Sequence, residues 1–129
     1  LDGIPKILPA LMRAQRVQVR AARQGFDWRE VSGALDKVEE EFAELRREHE
    51  AGSEYTVEDE FGDLLFSLVN VARFLHIDSE QALQHAVAKF EKRFRSVEVA
   101  LQKRERSMKD STLDELDALW DEAKQREEK

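Results

Sequence analysis

Four acidic residues stand at helical spacing in this 129-residue chain: Glu41 and Glu44 in one segment, Glu60 and Asp63 in another. Residues three apart lie on the same face of a helix, so each pair can present two carboxylates side by side. The connection between the pairs is short, which predicts adjacent antiparallel helices with all four acids facing. Four unpaired carboxylates in one place repel one another strongly, and a cation has to offset that repulsion. Oxygen-only ligands select a hard cation, Mg2+ or, as a substitute, Mn2+. A di-iron carboxylate bundle would need Glu-x-x-His pairs, and none of His49, His76 or His85 has a glutamate three residues before it. Either pair taken alone could be a solvated helix face. Glu60 and Asp63, however, interrupt the most apolar segment of the chain, and Gly62 between them is a poor helix-interior residue. A glycine there predicts close approach of another helix or of a ligand.

The elements that must position these acids read as helices throughout. Apolar residues at helical spacing predict helices over 4–24, 31–51, 57–75 and 79–106, and a short one carrying Leu113, Leu116, Leu119 and Trp120. Gly25 is expected as a C-cap, Asp27 and Thr56 as N-caps, and Asp78 or Ser79 as the cap of the fourth helix. Trp28 should anchor the turn at 25–28 to the core. The third helix is the most apolar and is expected at the centre. Residues 127–129 are expected to fray. No segment holds the period-two alternation of a half-buried strand. The fold class is therefore all-α, an antiparallel helical bundle forming a single domain over 1–129.

Composition sets the outer limits. Hydrophobic residues make up 41% and charged residues 38%, which suits amphipathic helices with solvated faces. The chain has no cysteine, which excludes disulfides, zinc–thiolate sites and cysteine nucleophiles. A net charge of -7 argues against nucleic acid, whose binding rests on basic groups at phosphates. No apolar run approaches membrane-spanning length and no signal-peptide pattern opens the chain, so no membrane association and a cytoplasmic location are expected. The first residue is Leu1 rather than Met, as in a fragment of a longer chain. Many apolar helix faces on a small bundle predict a homodimer.

The pattern Glu-Glu-x-x-Glu (40–44), fifteen residues, then Glu-x-x-Asp (60–63) resembles the all-α nucleotide pyrophosphohydrolases of the MazG family. The likeness extends through Ile-Pro-x-x-Leu-Pro-Ala-Leu-Met-Arg-Ala-Gln (4–15), Gly-Phe-Asp-Trp (25–28), Gly-Asp-Leu-Leu-Phe (62–66), Val-Asn-x-Ala-Arg (69–73), Lys-Phe-x-x-Arg-Phe (89–94) and Leu-Trp-x-x-Ala-Lys (119–124). It is strongest to the C-terminal half of two-domain members. The resemblance implies a dimeric helical bundle that binds Mg2+ through Glu41, Glu44, Glu60 and Asp63. It further implies cleavage of a nucleoside triphosphate between the α and β phosphates, giving monophosphate and pyrophosphate.

Other residues gain roles on that footing. Glu40 adjoins Glu41 and could act as general base or as a partner of the ligand; a solvated glutamate is the alternative. Lys37, one turn before Glu41, and the pair Lys89 and Arg93, four apart, could meet phosphates. Asn70 lies two turns beyond Asp63 and could hydrogen-bond substrate or a neighbouring helix. Trp120 could stack on a base or pack the last helix, and Lys124, one turn on, is a further phosphate group. Phe61, Phe66, Phe74, Phe90 and Phe94 read as core or dimer interface. The alternatives are a narrower-substrate relative, such as the dimeric dUTPases or phosphoribosyl-ATP pyrophosphohydrolase, and a non-catalytic helical interaction module.

Overall fold

The computed structural model describes residues 1–127 and is all-helical over them. Five helices follow one another: α1 (Ala10–Arg23), α2 (Val31–Ala51), α3 (Glu54–Phe74), α4 (Ser79–Lys103) and α5 (Leu113–Glu127). The chain forms two compact units, Leu1–Ala82 and the segment from Leu83 onward.

In the first unit, α1 begins later than the apolar pattern suggests. Pro9 is its N-cap, in an extended conformation, and residues 4–9 are not helical. The reason is proline chemistry: Pro5 and Pro9 bias Ile4 and Leu8 away from the helical region, and a proline inside the helix would lack its N–H. α1 closes as expected at Gly25, whose φ of 93° lets the N–H groups of Gly25 and Phe26 reach back to Ala22 and Ala21. α2 starts at Val31 without a side-chain cap. Asp27 does not cap it; its carboxylate instead accepts from the Trp28 N–H and from Arg73. Trp28 is exposed rather than a core anchor, and rests on the bare backbone of Gly33.

Only Gly52 and Ser53 separate α2 from α3. A Cβ at Gly52 would come within 2.7 Å of the Glu48 carbonyl oxygen, so the turn requires a residue without a side chain. Ser53, not Thr56, is the N-cap of α3. Its hydroxyl accepts from the Thr56 N–H, and the Thr56 hydroxyl donates back to the Ser53 carbonyl at 2.9 Å. This reciprocal arrangement brings the helix start forward to Glu54.

α3 packs antiparallel to both α2 and α1, so it is central in this unit as expected. Glutamines tie α1 to the far end of α3. Gln18 donates to the Phe66 carbonyl at 2.8 Å. Gln15 donates to the Ile77 carbonyl and accepts from both N–H and hydroxyl of Ser79. α3 ends at Phe74, His76 just beyond it adopts a left-handed φ of 59°, and Asp78 caps α4 through the Gln81 N–H.

The second unit is the α4–α5 hairpin. Val97, Leu101 and Leu119 form its core, with Ala100, Met108, Leu116 and Trp120 packed around them. α4 stops at Lys103 rather than 106, because Glu105 takes a left-handed φ of 55° and the Arg106 N–H turns back to the Leu101 carbonyl. Thr112 caps α5 through the Glu115 N–H. α5 is fifteen residues long and Glu127 is held by Arg93, so the last helix is longer than expected. The predicted fraying of 128–129 lies outside the described residues. No large side chain is fully buried among the described residues, and Phe61, Leu65, Phe66, Leu68, Leu83, Val87 and Phe90 remain exposed.

Candidate metal centre

Glu41 and Glu44 lie on α2, with Lys37 one turn earlier; Glu60 and Asp63 lie on α3. The tight turn at Gly52-Ser53 forces the two helices to run side by side, and this brings the two acidic pairs together. One carboxylate oxygen from each of Glu41, Glu60 and Asp63 lies within 4.8 Å of the others. Glu44 stands outside this trio but close enough to Glu60 to influence its ionisation. All four predicted acids are therefore gathered in one place, three of them tightly.

The electrostatics are those of a site short of positive charge. Glu41 is buried at 5% exposure, an unusual place for a carboxylate. Lys37 Nζ lies 3.0 Å from Glu41 Oε1 and 3.3 Å from Glu40 Oε1. Those hydrogen bonds, to Glu41 first and Glu40 second, raise the Lys37 pKa. The other oxygen of Glu41, Oε2, and Glu60 Oε2 are buried with no hydrogen-bond partner. Burial first, and then the neighbouring Glu41 and Glu44 carboxylates, raise the Glu60 pKa to about 7. Burial also raises Asp63, with contributions from Asp59, Glu41 and Glu44 that Lys37 partly offsets.

A buried carboxylate oxygen without a donor is costly, more so beside a second one. A hard divalent cation would relieve both. Its metal–oxygen bonds of about 2.1 Å for Mg2+ place ligands on opposite sides about 4.2 Å apart, comparable with the span of the trio. The donor set and its two orphaned oxygens thus fit Mg2+ or Mn2+. The expected close approach at Gly62 is not made within the chain: a Cβ there would meet nothing within 4 Å. The space above the Glu60–Asp63 turn is open.

The remaining predicted residues fall in different surroundings. Glu40 is exposed and pairs with Lys37. Asn70 is half-buried on α3, its Oδ1 accepting from Arg73 Nε at 2.9 Å. Lys89, Arg93, Trp120 and Lys124 belong to the second unit. There Arg93 pairs with Glu127 at 3.0 Å and lies over the Trp120 ring. Trp120 also packs on Phe90 with ring centroids 5.2 Å apart. Lys89 and Lys124 are exposed. What sequence reasoning missed is the Asp27–Arg73 ion pair and the tethers made by half-buried Gln15 and buried Gln18, because 46 to 64 residues separate the partners. The only available signal was a charged residue, Arg73, in the last turn of an otherwise apolar helix.

Residues 18–97 match the family described as MazG nucleotide pyrophosphohydrolase domain. That stretch includes all four acids, Lys37, Asn70, Lys89 and Arg93, and ends before Trp120 and Lys124. The chain is 42% identical over 124 residues to a Thermotoga maritima protein named nucleoside triphosphate pyrophosphohydrolase/pyrophosphatase MazG, covering 96% of this chain and 48% of that one. It is 44% identical over 129 residues to the Escherichia coli K12 nucleoside triphosphate pyrophosphohydrolase, covering 98% and 49%. A Bacillus subtilis relative, the uncharacterized protein YabN, is 45% identical over 128 residues, covering 98% and 26%. The chain thus spans about half the length of the first two relatives.

Proposed function

This chain belongs to the MazG nucleotide pyrophosphohydrolase family, and we propose that it hydrolyses nucleoside triphosphates with Mg2+ held by Glu41, Glu44, Glu60 and Asp63. The observation that carries the reading is the cluster on α2 and α3, where three carboxylates converge within 4.8 Å and two buried oxygens lack partners. A bound Mg2+ ion supplies Lewis-acid polarisation of phosphate oxygens.

The chain's own groups do the rest. Water attacks the α phosphorus, the bond from that phosphorus to the α–β bridging oxygen breaks, and pyrophosphate leaves with monophosphate as the other product. Glu40, exposed and next to Glu41, takes the proton from the water, or supports its neighbour through their shared contact with Lys37. Lys37 stands where it can turn from Glu41 to a phosphate oxygen. Asn70 donates to the substrate from two turns further along α3. Lys89, Arg93, Trp120 and Lys124 are proposed as substrate contacts from the sequence motifs that contain them. The chain works in the cytoplasm as a homodimer; support for the dimer comes from Leu65, Leu68, Val87 and Phe90, which are 42% to 55% exposed. Single scattered apolar residues need no explanation, but large ones on successive turns of a helix do.

Pyrophosphate release from a panel of triphosphates, with and without Mg2+, tests the activity. Asp63→Asn should lower turnover by on the order of a thousandfold, the equivalent of several kcal/mol of lost charge stabilisation, while helicity stays unchanged. Full turnover in that variant would remove the metal assignment. Sedimentation tests the dimer.

A further inference from the structure

Asn70 can help a substrate only if its amide faces the right way. An amide side chain has one accepting end and one donating end, and the two are nearly the same shape. Arg73 removes that ambiguity. A guanidinium has donors and no acceptor, so the Asn70 atom 2.9 Å from Arg73 Nε has to be Oδ1. The Asn70 Nδ2 group is thereby turned away from Arg73 and left to donate elsewhere.

Arg73 is itself locked. Its Nη1 donates to Asp27 Oδ2 at 3.1 Å, and its Nη2 donates to Asp27 Oδ1. Asp27 Oδ1 also accepts the Trp28 N–H at 2.8 Å, which fixes the carboxylate in the turn between α1 and α2. The Arg73 side chain is 16% exposed and that of Asp27 26%, and the guanidinium lies 4.5 Å from the centre of the Phe74 ring. Every guanidinium nitrogen therefore has a partner. A two-pronged, half-buried pair of this kind is geometrically demanding in a way that a surface ion pair is not. Asn70 follows Asp63 by seven residues, two helical turns or about 10 Å along the same face of α3.

We propose that Asp27 and Arg73 are positioning residues that hold the Asn70 amide with Nδ2 presented to an acceptor oxygen of the triphosphate. This rests on the reading of the α2–α3 carboxylates as the metal–triphosphate site. Lysine cannot replace Arg73, because one ammonium cannot reach Asn70 and both oxygens of Asp27 in the same geometry.

Steady-state pyrophosphate release by the purified chain with Mg2+ and ATP tests the relay, with melting temperature recorded for each variant. Asn70→Ala should lower kcat/KM by roughly tenfold to a hundredfold, the worth of one hydrogen bond to a charged acceptor. Asn70→Asp keeps the acceptor for Arg73 and loses the donor, so it should lose activity with its melting temperature kept. Arg73→Lys should lower kcat/KM by about tenfold in the native background and by less than about twofold when residue 70 is already alanine. Equal losses from Arg73→Lys in both backgrounds would mean that Arg73 acts on the fold alone, and would overturn the relay. Unchanged kcat/KM in both Asn70 variants, with Asp63→Asn inactive, would overturn the relay while leaving the proposed function standing. A native chain that releases no pyrophosphate from any triphosphate would sink both.

Discussion

In the α4–α5 hairpin from Leu83 onward the buried residues are Val97, Leu101, Leu119 and Ala123; in the α2–α3 hairpin they are Ala34, Ser67, Val69 and Glu41. Both hairpins are made of two amphipathic helices joined by a capped turn. The first places only apolar groups inside and pairs its charges at the margin, Arg93 with Glu127 and Arg106 with Glu115. The second puts a carboxylate inside and leaves Glu41 Oε2 and Glu60 Oε2 without donors. Among the described residues the α4–α5 hairpin has no such orphaned atom. One hairpin thus buries apolar groups alone, and the other buries carboxylate oxygens that no donor meets.

The sharpest way to break this contrast is to truncate the apolar core. Leu101→Ala should cost about 2–5 kcal/mol by cavity formation and lost burial. It should lower the melting temperature while leaving the Mg2+ affinity of the folded protein unchanged. A calorimetric titration that found Mg2+ binding lost in the folded variant would tie the metal site to the second hairpin. Mg2+ itself comes next. At a hundredfold excess over its dissociation constant it should stabilise the protein by about 2.7 kcal/mol, and Asp63→Asn should abolish that gain.

Smaller effects follow from the Glu60 titration. In the folded protein its pKa is about 7, against an ordinary value of 4.5. Between those values the folded state keeps a proton that the unfolded state has lost, so metal-free stability falls as pH rises through that window. Melting temperatures without metal should therefore be higher at pH 5 than at pH 8. Glu60→Gln should flatten that dependence, and should raise the metal-free melting temperature at pH 8. A lower melting temperature there would show that the Glu60 charge is not a burden. Bound Mg2+ needs the carboxylate form, so its affinity should rise with pH through about 7.

The smallest effect lies at the helix ends. Gly25, His76 and Glu105 occupy equivalent left-handed positions at the ends of α1, α3 and α4. A side chain at such a φ costs about 1–2 kcal/mol in strain, part of which glycine's greater freedom in the unfolded chain cancels. Glu105→Gly should thus gain about 1 kcal/mol, read as a rise in melting temperature. A loss there would mean that the Glu105 side chain has a stabilising role that its backbone does not reveal.

Much of the architecture was legible in the residues because it depends on near neighbours. α2 runs over the predicted 31–51, and the expected break at 76–78 and the Asp78 cap are where the pattern put them. The boundaries that moved did so for local reasons of competing chemistry: Pro9 delayed α1, Ser53 took the cap from Thr56, and Glu105 ended α4 early. The gathering of Glu41, Glu44, Glu60 and Asp63 was also legible, since spacing of three sets the face and a short connection sets the pairing. One inference from side-chain type alone did not survive: Trp28 was expected inside because it is large, yet it is 46% exposed. The close approach expected at Gly62 is not made by another part of this chain, and the space beside it is open.

By itself, then, the sequence determined most of the helices and the spacing of the acidic pairs, because periodicity is a property of neighbouring residues. Tertiary structure alone decided which oxygens are buried without a donor, that burial pushes the Glu60 pKa up to about 7, and that Arg73 bonds both Asn70 and Asp27, 46 residues away. Those facts depend on solvent exclusion and on the approach of distant segments. The four acids could be counted in the chain, but only the packing shows that Glu41 and Glu60 each bury an oxygen without a donor.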